Sequence, residues 1–346
     1  MEKGRKFRLK KFLIDVTRGQ KNTAGDKAKR DITHILADQG FNKIEVKIFN
    51  NKLQKLLLTR KEIQGDLALV GEGDLLLVQY PLYSLFELEV LLRICKARRI
   101  KLVGIIHDVE CLRALRENRI KSFREISIFN KFDCLIVHNE SMRQKLHLLN
   151  VRVKMISLEV FDYLNNNQMV KTGLNNSLVF AGNLGKAEFL DKWTLNLSVK
   201  LFGINPRAKY VETIKYLGVK SPNELPKFLS GSFGLVWDGA ELTTNSGVFG
   251  EYTKYNNPHK VSLYLSCGLP VIVWKQAAIS NFIKDKRVGL VIESLIDLPS
   301  SIQSLSLENY NEMCMNAKRV GTMIREGKFT KIAVDTAIDY LREKDQ

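Results

Sequence analysis

Short apolar runs alternate with amphipathic segments of helical length through the first half of the chain. Runs typical of β-strands occupy residues 12–16, 44–49, 75–78, 101–106 and 133–137. Segments long enough for helices lie between and after them, at residues 24–39, 53–64, 85–98, 122–130 and 141–150. Strands that alternate with helices predict a parallel, doubly wound α/β sheet.

The same alternation begins again after a polar stretch at residues 165–176, which we interpret as an interdomain linker. Strand-like runs follow at residues 177–181, 195–202, 211–217, 233–237, 271–274 and 289–292. This pattern predicts two Rossmann-like domains, at residues 1–165 and 177–328. In the remaining segment, 329–346, apolar residues share one helical face, so we expect a C-terminal helix that docks back on the fold.

Length and composition agree with two globular domains, because 346 residues exceed the size of one typical core. No uncharged apolar run of about 18 residues occurs, and the basic start leads directly into a strand. We therefore expect a soluble, cytoplasmic protein. The five cysteines are odd in number and form no C-x-x-C pair, which argues against a disulfide framework and a zinc site.

The formal net charge of +17 limits the partners without choosing one. A positive field of this size attracts nucleoside diphosphates, anionic lipid headgroups and acidic proteins alike. Peripheral contact with an anionic membrane is compatible with it. We expect no nucleic-acid partner, since no groove-reading motif or aromatic stacking platform accompanies the charge.

The segment from Asn257 to Pro270 predicts a short helix framed at both ends. Asn257 suits the N-cap, Pro258 the first helical position and Gly268 the position after the C-cap. The free backbone N–H groups at the start of such a helix, its dipole and the Lys260 ammonium together suit a phosphate group. The alternative is a capped core helix with a solvated lysine.

Polar clusters also follow the strands of the first domain, where ligands of α/β sheets bind. The loop containing Thr23 has the composition of a phosphate or sugar loop but matches neither nucleotide-binding glycine pattern, and Thr23 can instead cap the next helix. His107 and Asp108 follow a buried strand and suit a general base; alternatively, Asp108 caps a helix and His107 packs in a turn. The neighbouring strand ends in a turn or acceptor-binding platform formed by Gln79, Tyr80 and Pro81.

In the second domain, Lys186 follows the first strand in a turn of small residues and is placed to meet phosphates. Tyr216 and Leu217 precede Gly218, whose backbone suits the edge of a flat base. The chain contains no D-x-D triplet, the paired carboxylates that hold a divalent metal in many nucleotide-sugar enzymes. We therefore expect no metal site and no cofactor, with lysines and helix dipoles meeting the charge of a leaving diphosphate.

Taken together, the Thr23 loop, His107-Asp108, the turn before Lys186 and the Pro258-His259-Lys260 motif resemble the GT-B glycosyltransferases. The chain is most similar to bacterial glucosyltransferases that extend N-acetylglucosamine (GlcNAc) on serine-rich repeat adhesins, and to related galactofuranosyltransferase-like proteins. The resemblance implies a homo-oligomer, a tetramer, with UDP in the interdomain cleft. The UDP-binding residues that it implies are Thr23, Lys186, Tyr216, Leu217, Asn257, Pro258, His259, Lys260, Val261, Ser262 and Leu263.

The chain departs from retaining GT-B enzymes at two positions. Tyr255 and Leu263 stand where those enzymes carry a pair of glutamates, which favours inversion by a single base, Asp108 or His107. The expected activity is metal-independent transfer of glucose from UDP-glucose to GlcNAc on a serine-rich glycoprotein. The alternatives are an exopolysaccharide hexosyl- or galactofuranosyltransferase with a lipid-linked acceptor, and a non-catalytic partner that stabilises a glycosyltransferase.

Overall fold

The computed structural model describes residues 9–15, 24–46, 49, 51–82, 84–114 and 118–344. The first half forms a six-stranded parallel sheet in the order β2-β1-β3-β4-β5-β6. Its strands are β1 (Lys11–Asp15), β2 (Asn42–Glu45), β3 (Leu75–Tyr80), β4 (Lys101–Ile106), β5 (Cys134–Val137) and β6 (Lys154–Ser157). Strands β3 and β5 are buried along their whole length, as continuous apolar runs in parallel sheets usually are.

The first domain carries helices on both faces of this sheet. Its own helices are α1 (Ala24–Asp38), α2 (Lys52–Asp66), α3 (Leu85–Ala97), α4 (Arg119–Phe129) and α5 (Glu140–Leu148). Apolar residues of α2, α3, α4 and α5 share one core with alternate strand residues, whereas α1 packs into the core on the opposite face. This is the doubly wound arrangement that the sequence predicts.

The second half forms another six-stranded parallel sheet, in the order β12-β11-β10-β7-β8-β9. Its strands are β7 (Ser177–Ala181), β8 (Ser198–Phe202), β9 (Ile214–Tyr216), β10 (Phe233–Val236), β11 (Val271–Trp274) and β12 (Gly289–Ile292). The helices of this half are α6 (Gly247–Tyr252), α7 (His259–Ser266), α8 (Ser280–Lys286), α9 (Leu298–Gln303) and α10 (Leu307–Arg325). The strand order reverses between β7 and β10, the position where such sheets bind ligands. Two Rossmann-like domains are thus confirmed.

Helix α7 ends as predicted but begins differently. Gly268 has a φ of 73°, and its N–H and that of Leu269 close the helix onto the carbonyls of Leu265 and Tyr264. At the other end Pro258, not Asn257, is the N-cap, so this part of the prediction is wrong.

Asn257 instead joins the two domains. Its side-chain nitrogen donates to the carbonyls of His138 (2.7 Å) and Glu159 (2.9 Å), and its side-chain oxygen accepts from Asn139 at 2.7 Å. A local capping preference is overridden here by long-range hydrogen bonds in a buried interface.

The last helix, α11 (Lys328–Glu343), returns to the first domain, where it packs against α1, β5 and β6. Asp162, which follows β6, accepts hydrogen bonds from the backbone N–H groups of Phe329 and Thr330 at 3.3 and 2.6 Å. Among the residues that the structure describes, no helix combines the length and apolarity needed to cross a membrane.

Candidate functional site

A cavity of about 530 Å³ lies between the domains, at the carboxyl ends of their strands. The first domain contributes Asp108 and Arg113, from the loop after β4, and Tyr163. The second domain contributes the loops after β7, β8 and β10 and the first turn of α7. The switch point of the second sheet therefore opens directly onto this cavity.

Lys260 is held in the cavity wall by three contacts. Its Nζ lies 3.0 Å from Asp238 Oδ1 and 3.4 Å from the carbonyl oxygen of Trp237, and it stands 4.3 Å from the centre of the Phe180 ring. A Cβ at Gly182 would lie 3.0 Å from Lys260 Cε, so the small residue predicted before Lys186 leaves room for this side chain. Lys260 is thus pre-positioned and only partly solvated, with 18% of its side chain exposed.

Lys186 completes a group of cations with Lys260 and Arg113. Its Nζ lies 3.6 Å from the centre of the Phe249 ring. Burial lowers the pKa of Lys186; Asp238 opposes this shift, whereas the positive charges of Arg113 and Lys260 add to it. The three cations are close enough to repel one another, so an anion that entered between them would be stabilised.

The first turn of α7 adds backbone donors beside this cluster. The N–H groups of His259 and Lys260 lie in the first helical turn, where no intrahelical acceptor exists for them. Pro258, His259, Lys260 and Leu263 line the cavity. Val261 and Ser262, which were also predicted to bind UDP, do not line the cavity. Their side chains are buried in the domain interior.

His259 enters the cavity as a neutral imidazole. Burial lowers its pKa to about 3, with a further contribution from Lys27. The ring lies 5.3 Å from that of Tyr163 and 5.9 Å from that of Phe161, measured between centroids. Its Nε2 is buried without a hydrogen-bond partner among the described residues.

Asp108 faces this basic cluster from the first domain. Its Oδ2 lies 3.2 Å from Arg113 Nη1. Burial raises the pKa of Asp108, while Arg113 acts in the opposite direction, as do Lys186 and Lys29. The next described helix, α4, begins only at Arg119 and is capped by Asn118, so the helix-cap alternative for Asp108 is wrong.

The loop that carries Asp108 is fixed from both domains. Glu125 accepts hydrogen bonds from the N–H groups of Glu110 (3.0 Å) and Cys111 (2.6 Å). Tyr252, from the second domain, accepts one from the N–H of Val109 at 2.9 Å. These contacts hold the carboxylate at the cavity without placing it in a helix.

His107 points into the first domain. Its Nε2 donates to Gln79 Oε1 at 2.8 Å, and the ring stacks on Phe161 with 5.5 Å between centroids. Burial holds the pKa of His107 well below its usual value, and nearby positive groups, Lys29 first, add to the shift. A neutral imidazole with this partner suits positioning more than proton abstraction.

The predicted acceptor platform is corrected by the structure. Gln79 is buried, and its side-chain nitrogen donates to the carbonyl of Lys29 and to Thr33. Tyr80 is 2% exposed and its hydroxyl donates to Glu125 at 2.7 Å. The Pro81 carbonyl accepts from Lys29 Nζ at 2.5 Å, so all three residues are engaged inside the first domain.

Two predicted UDP-binding positions lie beside the cavity and not in it. Tyr216 ends the edge strand β9, and its hydroxyl donates to the carbonyl of Gly203 at 3.0 Å. Gly203 lines the cavity, together with Val219, whereas Tyr216 and Leu217 do not. Thr23, the remaining predicted contact, lies outside the described residues.

Several cavity residues escaped the sequence analysis, namely Arg113, Asp238, Phe249 and Tyr252. Asp238 comes two residues after β10, so the strand-end rule was sufficient to find it. Arg113 lies five residues after Asp108, but no motif distinguishes it from the many other basic residues of the chain. In the described part of the chain, no cluster of three or more His, Cys, Asp or Glu side chains is arranged to hold a metal, and all five cysteines are buried free thiols.

Comparison with known proteins gives a consistent result over both domains. Residues 10–160 match the family model "Glucosyltransferase 3-like, N-terminal domain", and residues 178–337 match "Glucosyltransferase 3-like, C-terminal domain". The chain is 30% identical over 341 residues to the beta-1,6-galactofuranosyltransferase WbbI of Escherichia coli (strain K12), covering 96% of this chain and 99% of that protein. It is 26% identical over 318 residues to glucosyltransferase 3 of Streptococcus gordonii, covering 91% and 94%.

Solved structures resemble this chain in fold, at low sequence identity. An alpha,alpha-trehalose-phosphate synthase (UDP-forming) from Burkholderia vietnamiensis aligns with a TM-score of 0.53 at 11% identity, covering 92% of this chain and 83% of that one. S. aureus TarM, in a complex with UDP, aligns with a TM-score of 0.50 at 12% identity, covering 83% and 58%. Both are GT-B structures, so the predicted GT-B fold is confirmed.

Proposed function

Because this chain belongs to the glucosyltransferase 3-like family of GT-B glycosyltransferases, we propose that it transfers a hexose from a UDP-sugar by a single inverting displacement without a metal ion. The diphosphate would bind Lys260, Lys186 and the first turn of α7. Asp108 would act as the base. The enzyme class, a glycosyltransferase that uses a nucleotide sugar, agrees with the family and sets aside the non-catalytic alternative.

The observation that carries this proposal is that two lysines and the Asp108 carboxylate face one cavity from opposite domains. Lys186 and Lys260 belong to the second domain, whereas Asp108 belongs to the first. A donor whose diphosphate lay on the lysines would direct its sugar toward Asp108. An acceptor hydroxyl would then enter between the sugar and the carboxylate.

The reaction follows from these positions. Asp108 takes the proton of the acceptor hydroxyl, whose oxygen attacks the anomeric carbon as the bond to the diphosphate oxygen breaks. UDP leaves with its new negative charge beside two lysines and the positive end of α7. Burial raises the pKa of Asp108 and makes it a better base, while the Arg113 guanidinium acts in the opposite direction and favours the carboxylate. His107 is the reserve candidate for the base.

For the sugar and the acceptor, our first candidate is glucose from UDP-glucose to GlcNAc on a serine-rich glycoprotein, by a homo-oligomeric enzyme. The family descriptions and the S. gordonii relative, both named glucosyltransferase 3, support glucose. The second candidate is galactofuranose transfer to a lipid-linked acceptor, as in exopolysaccharide synthesis. The E. coli galactofuranosyltransferase, at 30% identity, supports this sugar, and the β-linkage in its name is compatible with inversion.

One screen tests the proposal and separates the candidates. UDP-glucose, UDP-GlcNAc, UDP-galactose and UDP-galactofuranose are each incubated with the purified protein, with and without a GlcNAc glycoside, and UDP release is measured. We expect one donor to be turned over, faster with the acceptor and with UDP as the product. No turnover of any donor by a protein that binds UDP would contradict the proposed donor class.

A further inference from the structure

Large apolar side chains are exposed at one end of two helices in the first domain. In α2, Leu53, Leu56 and Leu57 are 65 to 68% exposed. In α4, Ile120 and Phe123 are 83% and 77% exposed. We call these five residues the apolar rim. Single apolar residues are ordinary on protein surfaces. Clusters of exposed apolar side chains at the starts of two helices on one face are unusual.

The apolar rim lies on the side of the domain that bears the cavity. In a parallel α/β sheet, each helix that follows a strand begins at the carboxyl ends of the strands, and those ends face the cavity. All five rim residues belong to the first two turns of their helices. They therefore lie at the same end of the first domain as the cavity.

Helices α2 and α4 also belong to one continuous face. Both pack into the same core as α3. Lys55 Nζ lies 2.9 Å from Glu87 of α3, and Arg124 Nε lies 2.8 Å from Glu89 of α3. The two parts of the apolar rim flank α3 on a single surface.

This surface is basic. Helices α2, α3 and α4 contain nine Lys and Arg residues against five Asp and Glu residues. Two of the acidic residues are buried: Glu87 pairs with Lys55, and Glu125 accepts hydrogen bonds from the backbone of the Asp108 loop. Exposed basic residues interleave with the rim itself, at Lys52, Arg60, Lys61, Arg119 and Lys121.

We propose that the apolar rim docks the enzyme onto the surface of an anionic bilayer. Leucine, isoleucine and phenylalanine side chains would enter the boundary between headgroups and acyl chains, and the lysines and arginines around them would meet acidic headgroups. Charge selects this occupant over a second copy of the chain. Two copies joined through this face would bring like charges together, and each protomer already carries a net charge of +17.

Docking in this way turns the end of the first domain that bears the cavity toward the lipid. If the proposed function holds, Asp108 would then meet hydroxyls of a sugar carried on a lipid at the membrane surface, the acceptor of the second candidate. This consequence rests on the proposed function. The docking itself does not, because binding to lipid is measured without any sugar donor.

The test is flotation of the purified protein with vesicles of pure phosphatidylcholine and of phosphatidylcholine with a quarter phosphatidylglycerol. We expect binding to the anionic vesicles only, weakening as NaCl is raised from low to high concentration. In the rim variant, Leu53, Leu57 and Phe123 are each changed to Ser, and the partition coefficient should fall about tenfold or more. The matched control changes Leu69, Leu307 and Met315 to Ser; these residues are 61 to 79% exposed elsewhere, and we expect binding within twofold of wild type.

Single charge variants test whether basic residues around the apolar rim bind the acidic headgroups. Lys52→Gln, Lys61→Gln and Lys121→Gln should each weaken anionic binding about fivefold. The same change at the exposed lysines Lys209, Lys215 and Lys284 should leave binding within threefold of wild type.

Unchanged UDP affinity in every variant shows that the fold and the site persist. Equal binding to both vesicle types, or a rim variant that binds like wild type, would overturn the proposal. So would a rim variant that only dissociates an oligomer in light scattering, which would make the rim a contact between copies. Failure of sugar transfer with intact vesicle binding would count against the proposed function alone.

Discussion

Removing the Lys260 ammonium should weaken UDP binding more than the removal of any other cation of the cavity. Lys260 belongs to the first turn of α7, and its side chain is held by Asp238, the Trp237 carbonyl and the Phe180 ring. A charge-assisted hydrogen bond to phosphate contributes about 1.5 to 3 kcal/mol, so Lys260→Ala should raise the dissociation constant of UDP roughly tenfold to a hundredfold.

The structure places the expected effect in the upper part of that range. The Asp238 carboxylate, 17% exposed in the wild-type chain, loses its partner at 3.0 Å in Lys260→Ala and lies beside the proposed diphosphate position. Its negative charge then opposes the ligand. Adding Asp238→Asn should therefore recover about 1 kcal/mol, or about fivefold in affinity.

Isothermal titration calorimetry with UDP measures these effects. Lys275→Ala is the matched control, since Lys275 pairs with Glu293 at 2.8 Å on the surface of the same domain and is 59% exposed. The control should bind like wild type. If folded Lys260→Ala also binds UDP within twofold of wild type, the diphosphate site lies elsewhere and the reasoning from α7 is wrong.

Four other predictions concern catalysis and stability. Asp108→Asn should lower transfer by about 10²-fold to 10⁴-fold in a steady-state assay while the UDP dissociation constant changes less than threefold; near-normal transfer would remove Asp108 as the base. Arg113→Gln should raise the pKa of Asp108 further, so the acid limb of the pH–rate profile moves to higher pH and the loss of rate is largest at low pH; a limb that stays in place would contradict this coupling. Transfer should survive excess EDTA, and loss of turnover restored by Mn²⁺ or Mg²⁺ would refute metal independence. Asn257→Ala leaves the carbonyls of His138 and Glu159 without their donor, and denaturant titration should show about 1 to 3 kcal/mol less free energy of unfolding; an unchanged value would show that solvent replaces the amide.

Much of the fold follows from the sequence because most strands are short continuous apolar runs. Residues 101–106, 177–181, 271–274 and 289–292 were predicted as strands and are strands with those bounds. Strand β6 was missed, since Lys154 is exposed and the segment has no continuous apolar run. The predicted strand at residues 44–49 lies at Asn42–Glu45, where an exposed edge strand gives only a weak apolar signal.

The site was predicted best where the chemistry is local. Lys260 and Lys186 were found from a helix start and a strand end, and the structure brings both to one cavity. The role of Tyr80 was not accessible, because the sequence does not show that its hydroxyl meets Glu125, 45 residues away. The pairing of Asp238 with Lys260, 22 residues away, is likewise not visible in a single sequence, although the strand-end rule was sufficient to select Asp238 itself.

The return of α11 to the first domain has a consequence for how the protein can be divided. The two family models separate the chain near residue 160. Asp162, beside this boundary, nevertheless accepts hydrogen bonds from the backbone of Phe329 and Thr330. In the returning helix, Val334, Ala337 and Ile338 are buried. A fragment with only the first half would leave the face of its sheet against β5 and β6 uncovered. The halves are therefore not interchangeable modules: a chimaera that exchanges donor domains between relatives has to keep α11 with the first domain.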